Sequence, residues 1–449
     1  MPLNDLFYDK GTILISGDIS TPYGVWDKAA GRYRAEAYRY RDLVEYMERS
    51  GIQFEDNVLD LIPCQTLKAD VTLYDYQTEG VEAWVAAMKK GVVVLPTGSG
   101  KTVLAINAIE QVGGPALVIV PTLDLVDQWK LFLTKAFKTP IGTITGGVFD
   151  LQQITVATYD SAYLRMPEIG NKFMLIVCDE VHHLAGASYV QIAEMCAAPY
   201  RLGITATIDR DDMQHFEIYR LLGGLVYSKK PSDLSGDYLA EYQLERVFVD
   251  LTESEKAEYD ALYDKFRRYI NDHNISLTSS ADFRRFIMLA SRDRAARDAL
   301  LARNRALSIA LNTSSKMAAL EKILREASQT DRIIVFTQHN DLVYKISNHF
   351  LMPFITYRTD KAERIKVLEK FRKGEYRAIV ASKTIDEGID VPEASLGVLV
   401  SGSGSRREFI QRLGRLLRKR ENKLARLVEI VSKETYEMGS SRRRKRGME

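Results

Sequence analysis

VVVLPTGSGKTVLAINAIEQV (residues 92–112) decides the fold. A run of β-branched residues leads without a break into a Gly/Ser-rich turn, and the turn leads into a segment of strong helix formers. An anion held at such a turn needs inward backbone N–H groups and small residues that leave them uncovered, here Gly98 and Gly100. A helix N-terminus directly behind the turn adds free amides and a favourable dipole. Thr97, Gly98, Ser99 and Gly100 would form the cradle, Lys101 would reach the β- and γ-phosphates, and the Thr102 hydroxyl would ligate Mg²⁺. The strict GxxxxGK[ST] pattern is not met, because Leu95 stands where its first glycine belongs. A plain Gly/Ser turn preceding a lysine is the competing reading, and the strand–turn–helix context weighs against it.

Outward from this stretch the same alternation repeats. ALVIV (116–120), ITVAT (154–158) and LIVCD (175–179) are short runs apolar on both faces, each followed by a helix-length segment. That pattern predicts a parallel sheet buried under helices. RIIVFT (332–337), FITYRT (354–359), AIVAS (378–382) and LGVLVS (396–401) predict a second such sheet. Between them, residues 252–313 are charged and proline-free, with apolar residues at helical spacing, and predict two or three helices without a strand. At the N-terminus, GTILISGD reads as a strand. Residues 39–51 read as an amphipathic helix with Tyr40, Leu43, Val44 and Met47 on one face, stopped by Gly51. The expected division is 1–68, 69–240, 241–314, 315–438, and a basic disordered tail, 439–449.

Composition narrows the class. At 449 residues the chain exceeds one core, and its 46% hydrophobic and 27% charged content is that of a globular protein. No apolar run approaches the roughly 18 residues of a membrane helix, and no secretory signal is visible, so the expectation is a cytoplasmic protein with no membrane partner. Three scattered cysteines argue against a disulfide framework, a CxxC zinc site and an iron–sulfur cluster. Net charge is only +2, yet Arg406–Arg426 holds nine Lys/Arg against two Glu, and Arg442–Arg446 holds five more basic residues. Such a cluster suits phosphate contact or a solvated helix face.

Asp179 and Glu180 close the strand LIVCD, 78 residues beyond Lys101. In open α/β sheets ligands gather at the carboxyl ends of strands, which brings both carboxylates toward the phosphate loop. Asp179 suits a water-mediated Mg²⁺ contact, and Glu180 suits orienting or deprotonating the attacking water. Adjacent His182 and His183 do not share a face and have no third ligand nearby, so zinc is disfavoured. His182 is expected to link this site to the next loop.

LPTGSGKT, VPTLDLVDQW, DEVHH, TAT (205–207), VASKTIDEGID (380–390) and QRLGRLLR (411–418) stand in the order of the superfamily 2 helicase motifs. With DEVHH and GSRREFIQRLGRLLR, the sequence resembles the XPB-type DNA helicases in their short archaeal form, over about residues 10–430. The resemblance implies two RecA-like parallel-sheet domains, a helical thumb-like insert and a small α+β N-terminal domain. It implies an ATP-dependent 3′–5′ DNA helicase or translocase in nucleotide excision repair or transcription-linked opening. DNA, single-stranded, forked or damaged duplex, would be the partner, with a nuclease or a transcription/repair protein as companion. Gln77 in LYDYQTEG would read adenine, with Tyr74 where arginine is usual. Thr205 and Thr207 would couple hydrolysis to motion, Gly388 and Asp390 would close on the nucleotide, and Arg415 and Arg418 would be arginine fingers, with Gln411 beside them. Their i, i+3 spacing places both guanidinium groups on one helical face. Arg210-Asp211-Asp212 occupies the place of the family's Arg-Glu-Asp strand-separation element, one methylene shorter, which leaves unwinding strength open.

Arg284, Arg285, Arg292, Arg294 and Arg297 in the insert suit DNA phosphates or simple solubilisation equally. Trp26, Tyr33, Tyr38 and Tyr40 interleave with arginines near the N-terminus, a mix that suits stacking on DNA or a small core. Other readings remain: an RNA-directed motor, the motor subunit of a restriction complex, and a damage-binding conformational switch that uses ATP without processive unwinding.

Overall fold

Val92 and Val93 have no solvent exposure, because the strand they belong to lies inside a sheet with helices on both faces. The computed structural model describes residues 4–17, 19, 21–186, 188–207, 215–234, 238, 242–277, 280–382, 394–401 and 425–445. The chain divides into two compact units, Met1–Lys229 and Lys230–Glu449.

The first unit contains two sheets. Strands β1 (Asn4–Asp9), β2 (Thr12–Ile15), β3 (Gly24–Asp27), β4 (Arg32–Glu36) and β5 (Phe54–Asn57) form a small sheet in the order β3-β4-β2-β1-β5. Its pairs are antiparallel except β1 with β5. Helix Tyr40–Arg49 lays Leu43 and Met47 into the core beneath it, and Gly51 follows in left-handed backbone. Tyr40 packs against this core and donates its hydroxyl to Asp56 at 2.7 Å.

The larger sheet contains β6 (Lys90–Val94), β7 (Ala116–Val120), β8 (Gly142–Thr145), β9 (Val148–Asp150), β10 (Ile154–Thr158), β11 (Leu175–Asp179), β12 (Tyr200–Thr205) and β13 (Leu225–Ser228). The order is β13-β6-β12-β11-β7-β10-β8-β9, parallel throughout except for the β8–β9 hairpin at one edge. The small sheet is fastened to the larger sheet's layer of helices. Tyr8 donates its hydroxyl to the carbonyls of Met166 and Met195 at 2.8 and 2.9 Å, Arg220 donates to the Tyr38 hydroxyl at 2.9 Å, and Ala197 joins the N-terminal core.

In the second unit, β14 (Tyr242–Val249), β15 (Ile333–Phe336), β16 (Phe354–Ile355), β17 (Ala378–Ala381), β18 (Leu396–Leu399) and β19 (Ala425–Ser432) form an all-parallel sheet, ordered β14-β19-β18-β15-β17-β16. Strand β16 stops at Ile355, short of the expected run to 359. There Thr356 and Thr359 close a turn, with Thr359 N–H on the Thr356 carbonyl at 3.1 Å and Thr356 N–H on the Thr359 hydroxyl at 2.9 Å. Helices Glu253–Asp272, Ser280–Arg292 and Arg294–Asn312 form the insert, packing Phe266, Tyr269, Phe286 and a row of alanines together. Arg297 is spent on the preceding helix, donating to the carbonyls of Ala290 and Ser291.

The tail expected to be disordered from 439 instead belongs to a helix, Tyr436–Lys445. Its inner side is polar rather than apolar, which hid it from periodicity. Glu437 forms a buried ion pair with Lys316 at 2.7 Å, and Ser441 donates to Glu429 at 2.7 Å. No helix among the described residues is long and apolar enough to cross a membrane.

Candidate nucleotide site

The carboxyl ends of β6, β12 and β11, three neighbouring parallel strands, carry the residues singled out from the sequence. Beyond β6, Leu95 still donates its N–H to the Thr205 carbonyl at 3.0 Å, so the loop starts from a fixed edge. Gly98 and Gly100 then take φ of +85° and +75°, backbone that side-chain-bearing residues adopt at a cost. Helix Lys101–Val112 begins immediately, with Gly100 at its N-cap, so its first amides have no capping side chain and remain available to an anion. The Lys101 ammonium donates to the carbonyls of Leu95 and Pro96 at 3.2 and 3.3 Å. Thr102 follows in the first turn. Ser99 turns its hydroxyl onto the Pro96 carbonyl at 2.7 Å, bracing the loop from within.

Helix Asp75–Ala86 supports the loop from behind. The Ser99 carbonyl accepts both the Tyr76 hydroxyl at 2.6 Å and the Gln77 Nε2 at 2.8 Å. Gln77 Oε1 accepts the Tyr74 N–H at 2.9 Å, closing the helix N-terminus, and the side chain is buried. This amide, which the motif resemblance assigns to adenine, ties the helix to the phosphate loop. Tyr74 stacks on Tyr76 at 5.9 Å between ring centroids and is itself well exposed.

Asp179 ends β11 and is buried. Its Oδ2 accepts the Trp129 indole N–H at 2.8 Å, its Oδ1 accepts the Glu180 N–H at 2.9 Å, and its carbonyl accepts the Tyr159 hydroxyl at 3.0 Å. Burial, followed by the neighbouring Glu180 charge, pushes the Asp179 carboxyl up to about 6; the Trp129 hydrogen bond and Lys101 pull the other way. Glu180 has φ of +45°, rare for a non-glycine residue and a form of strain concentrated at functional sites.

Glu180 is held by a hydroxyl hub. Thr205 Oγ1 lies 3.0 Å from Glu180 Oε2, 3.1 Å from His182 Nδ1 and 2.9 Å from the Thr207 carbonyl. His182 is buried, at 3.5 Å from Glu180 Oε2. The acidic pair and TAT are therefore one connected network.

The group fits a nucleotide polyphosphate with a divalent cation on three observations. A Cβ at Gly100 would fall 2.5 Å from Gln77 Nε2, so the loop is built for its glycine. Thr97 Oγ1 and Thr207 Oγ1 are buried without a hydrogen-bond partner among the described residues. The donor set of Thr102, Asp179 and Glu180 matches Mg²⁺, which keeps several waters and uses one or two carboxylates beside substrate phosphates. No cluster of three or more His, Cys, Asp or Glu suited to a metal occurs among the described residues.

Arg210, Asp211, Asp212, Gly388, Asp390, Gln411, Arg415 and Arg418 lie outside the described residues. Sequence reasoning passed over Trp129 and Tyr76. Both sit inside quoted motifs, and a buried Trp or Tyr needs a partner for its N–H or O–H, which was the available signal.

Comparison with known proteins shows which chains this one is similar to. Residues 6–58 match the xeroderma pigmentosum group B helicase damage recognition domain. Residues 70–210 match the type III restriction enzyme res subunit, and residues 299–448 match the ERCC3/RAD25/XPB C-terminal helicase. The DNA 3′–5′ translocase XPB2 of Sulfurisphaera tokodaii is 45% identical over 441 residues, covering 98% of this chain and 99% of that one. The general transcription and DNA repair factor IIH helicase/translocase subunit XPB/SSL2 of Saccharomyces cerevisiae is 26% identical across 92% of this chain, which spans about half, 47%, of its length. The Pyrococcus furiosus Hef helicase domain matches with a TM-score of 0.55 at 21% identity, covering 84% of this chain and 99% of that one, a likeness of fold.

Proposed function

Because the chain belongs to the XPB family, we propose that it is an ATP-dependent DNA translocase and helicase moving 3′ to 5′, with the Lys101–Asp179 site as its engine. One observation carries the assignment to these residues. The phosphate loop, Asp179 and the Thr205 hub converge at the carboxyl edge of one parallel sheet, close enough that Lys101 acts on the Asp179 charge.

In this reading the amides from Gly98 to Thr102 hold the phosphates, with Ser99 and Thr97 in the same loop, and Lys101 leaves its two carbonyls for the phosphate oxygens. Mg²⁺, when bound, offsets charge developing on the transferring phosphoryl group. Thr102 and Asp179 are the residues that would hold it. Glu180 takes the proton of the attacking water, and Thr205 with His182 fixes its carboxylate. Thr207 shares that hydroxyl, so a change at Glu180 reaches the loop beyond β12. Gln77 steadies the phosphate loop and keeps its adenine-reading role from the sequence motif. Gly388, Asp390, Gln411, Arg415 and Arg418 keep their roles from the sequence motifs alone, as does Arg210-Asp211-Asp212 in strand separation.

The division into 1–68, 69–240, 241–314 and 315–438 belongs to the same proposal, with β14 at the start of the third segment paired into the second sheet and helix Tyr436–Lys445 continuing the fourth, as do Mg²⁺ and a cytoplasmic setting. The preferred DNA is single-stranded, forked or damaged, in excision repair or transcription-linked opening, beside a nuclease or transcription/repair protein. A restriction-complex motor is less well supported: that family model matches residues 70–210 alone, while XPB models match on both sides. Strand displacement on forked and lesion-bearing duplexes is the test. ATP-dependent release from substrates with a 3′ loading strand supports the proposal. ATP-dependent DNA distortion without release at any enzyme excess identifies a conformational switch instead.

A further inference from the structure

Trp129 lies on helix Leu123–Phe137, which follows β7, the strand next to β11. Its side chain is 1% exposed, and its single donor is given to a carboxylate, Asp179 Oδ2, at 2.8 Å. The other oxygen, Oδ1, is occupied by the Glu180 N–H at 2.9 Å. An ionised carboxylate offers about four lone-pair positions. Two fixed donors on opposite oxygens therefore set the rotation of the group and leave one acceptor position on each oxygen. Without the indole, Oδ2 keeps no donor in the described contacts, and the side chain can turn about Cβ–Cγ.

We infer that Trp129 is a positioning residue for divalent-cation binding. It holds Asp179 in the orientation that receives the cation's water shell. This rests on the reading of Asp179 as a metal-site residue. The protein contains its own contrast: Trp84 is equally buried, but donates to a backbone carbonyl, that of Arg201, at 2.9 Å. An indole serving packing alone is satisfied by a carbonyl; Trp129 instead reaches a group whose charge and direction matter to a ligand. Partners that orient ligating groups typically account for about 10–100-fold in metal affinity.

The experiment uses the full chain and compares wild type, Trp129→Phe and Trp84→Phe. ADP affinity is measured in EDTA and in saturating Mn²⁺, and Mn²⁺ binding in the presence of ADP is followed directly by loss of the free-ion EPR signal. The expected result is that Trp129→Phe binds ADP in EDTA like wild type but loses about tenfold or more of the Mn²⁺-dependent tightening. Trp84→Phe should retain that tightening, whatever it does to thermal stability. Equal Mn²⁺-dependent tightening in wild type and Trp129→Phe overturns the inference and leaves Trp129 a packing residue. A proportionate loss in both tryptophan variants overturns it too. If wild type shows no metal-dependent tightening, the nucleotide–metal reading of Asp179 fails, and the inference with it. Should Trp129→Phe not fold by circular dichroism, benzothienylalanine at position 129, which keeps the bicyclic ring and lacks the N–H, carries the same outcomes.

Discussion

Gly100→Ala strikes the phosphate loop and its brace together. The added methyl would sit 2.5 Å from Gln77 Nε2, and the backbone at φ +75° remains left-handed. Left-handed backbone costs an alanine about 1–2 kcal/mol. The clash adds a second cost, since Gln77 must leave the Ser99 carbonyl at 2.8 Å and strain its bond from the Tyr74 N–H at 2.9 Å. Two hydrogen bonds, one buried and one part-buried, at about 1 kcal/mol each make that second cost about 2 kcal/mol. Gln77→Ala alone forfeits the same bonds but keeps the glycine. In the double variant the clash is gone, so the costs do not add, and the shortfall is about 2 kcal/mol. In a chain of two compact units a single unfolding free energy is poorly defined, so the readout is ADP affinity by isothermal titration rather than global stability. About 2 kcal/mol corresponds to roughly 30-fold in dissociation constant, by which the double variant should bind better than the product of the single effects. Effects that multiply to within twofold would refute the coupling of Gln77 to the loop.

Acid should weaken ATP turnover through Asp179. In the metal-free protein its carboxyl is raised to about 6 by burial and Glu180, so it protonates as pH falls through that value and kcat/KM for ATP falls with it. The sign for stability is opposite: the folded protein binds this proton more tightly than the unfolded chain, so acidification from about 6 toward 4 favours the folded state through this group. A pH–rate profile flat down to 5 would contradict the first statement. Lys316→Met should lower the melting temperature of the second unit markedly, because Glu437 is left buried without its cation, a loss of about 3–5 kcal/mol in comparable pairs. Differential scanning calorimetry checks it, and an unchanged transition would show the pair is replaceable. Thr205→Val removes the hydroxyl shared by Glu180 and His182, and should reduce turnover more than ADP affinity. Equal losses in both would assign Thr205 to binding alone.

The parallel sheets were legible because fully buried strands are apolar on both faces. β7, β10 and β11 run over the residues that the sequence marks. Where strands are half-exposed the signal failed. β3 carries Val25 and Trp26 at 76% and 51% exposure and alternates nothing, and no reading anticipated the hairpin it forms with β4. The C-terminal helix failed for another reason: its buried side is Glu437, Ser440 and Ser441, held by ion pairing and hydrogen bonds that no hydrophobic period reports. At the site, Lys101, Asp179 and Glu180 follow from strand ends, a local property. Trp129 on Asp179 and Gln77 on Ser99 join residues 50 and 22 apart, and a Trp or Gln in a helix names no distant partner.

DNA is expected to drive ATP hydrolysis at the Lys101–Asp179 site. Steady-state ATP turnover, with and without single-stranded DNA, in wild type and Lys101→Ala, measures it most directly. DNA should stimulate wild-type turnover strongly, more than RNA of the same sequence does, and should not stimulate Lys101→Ala, which should still bind DNA in a salt-sensitive manner. Wild-type turnover indifferent to DNA, or a Lys101→Ala protein hydrolysing ATP at the wild-type rate, would contradict it.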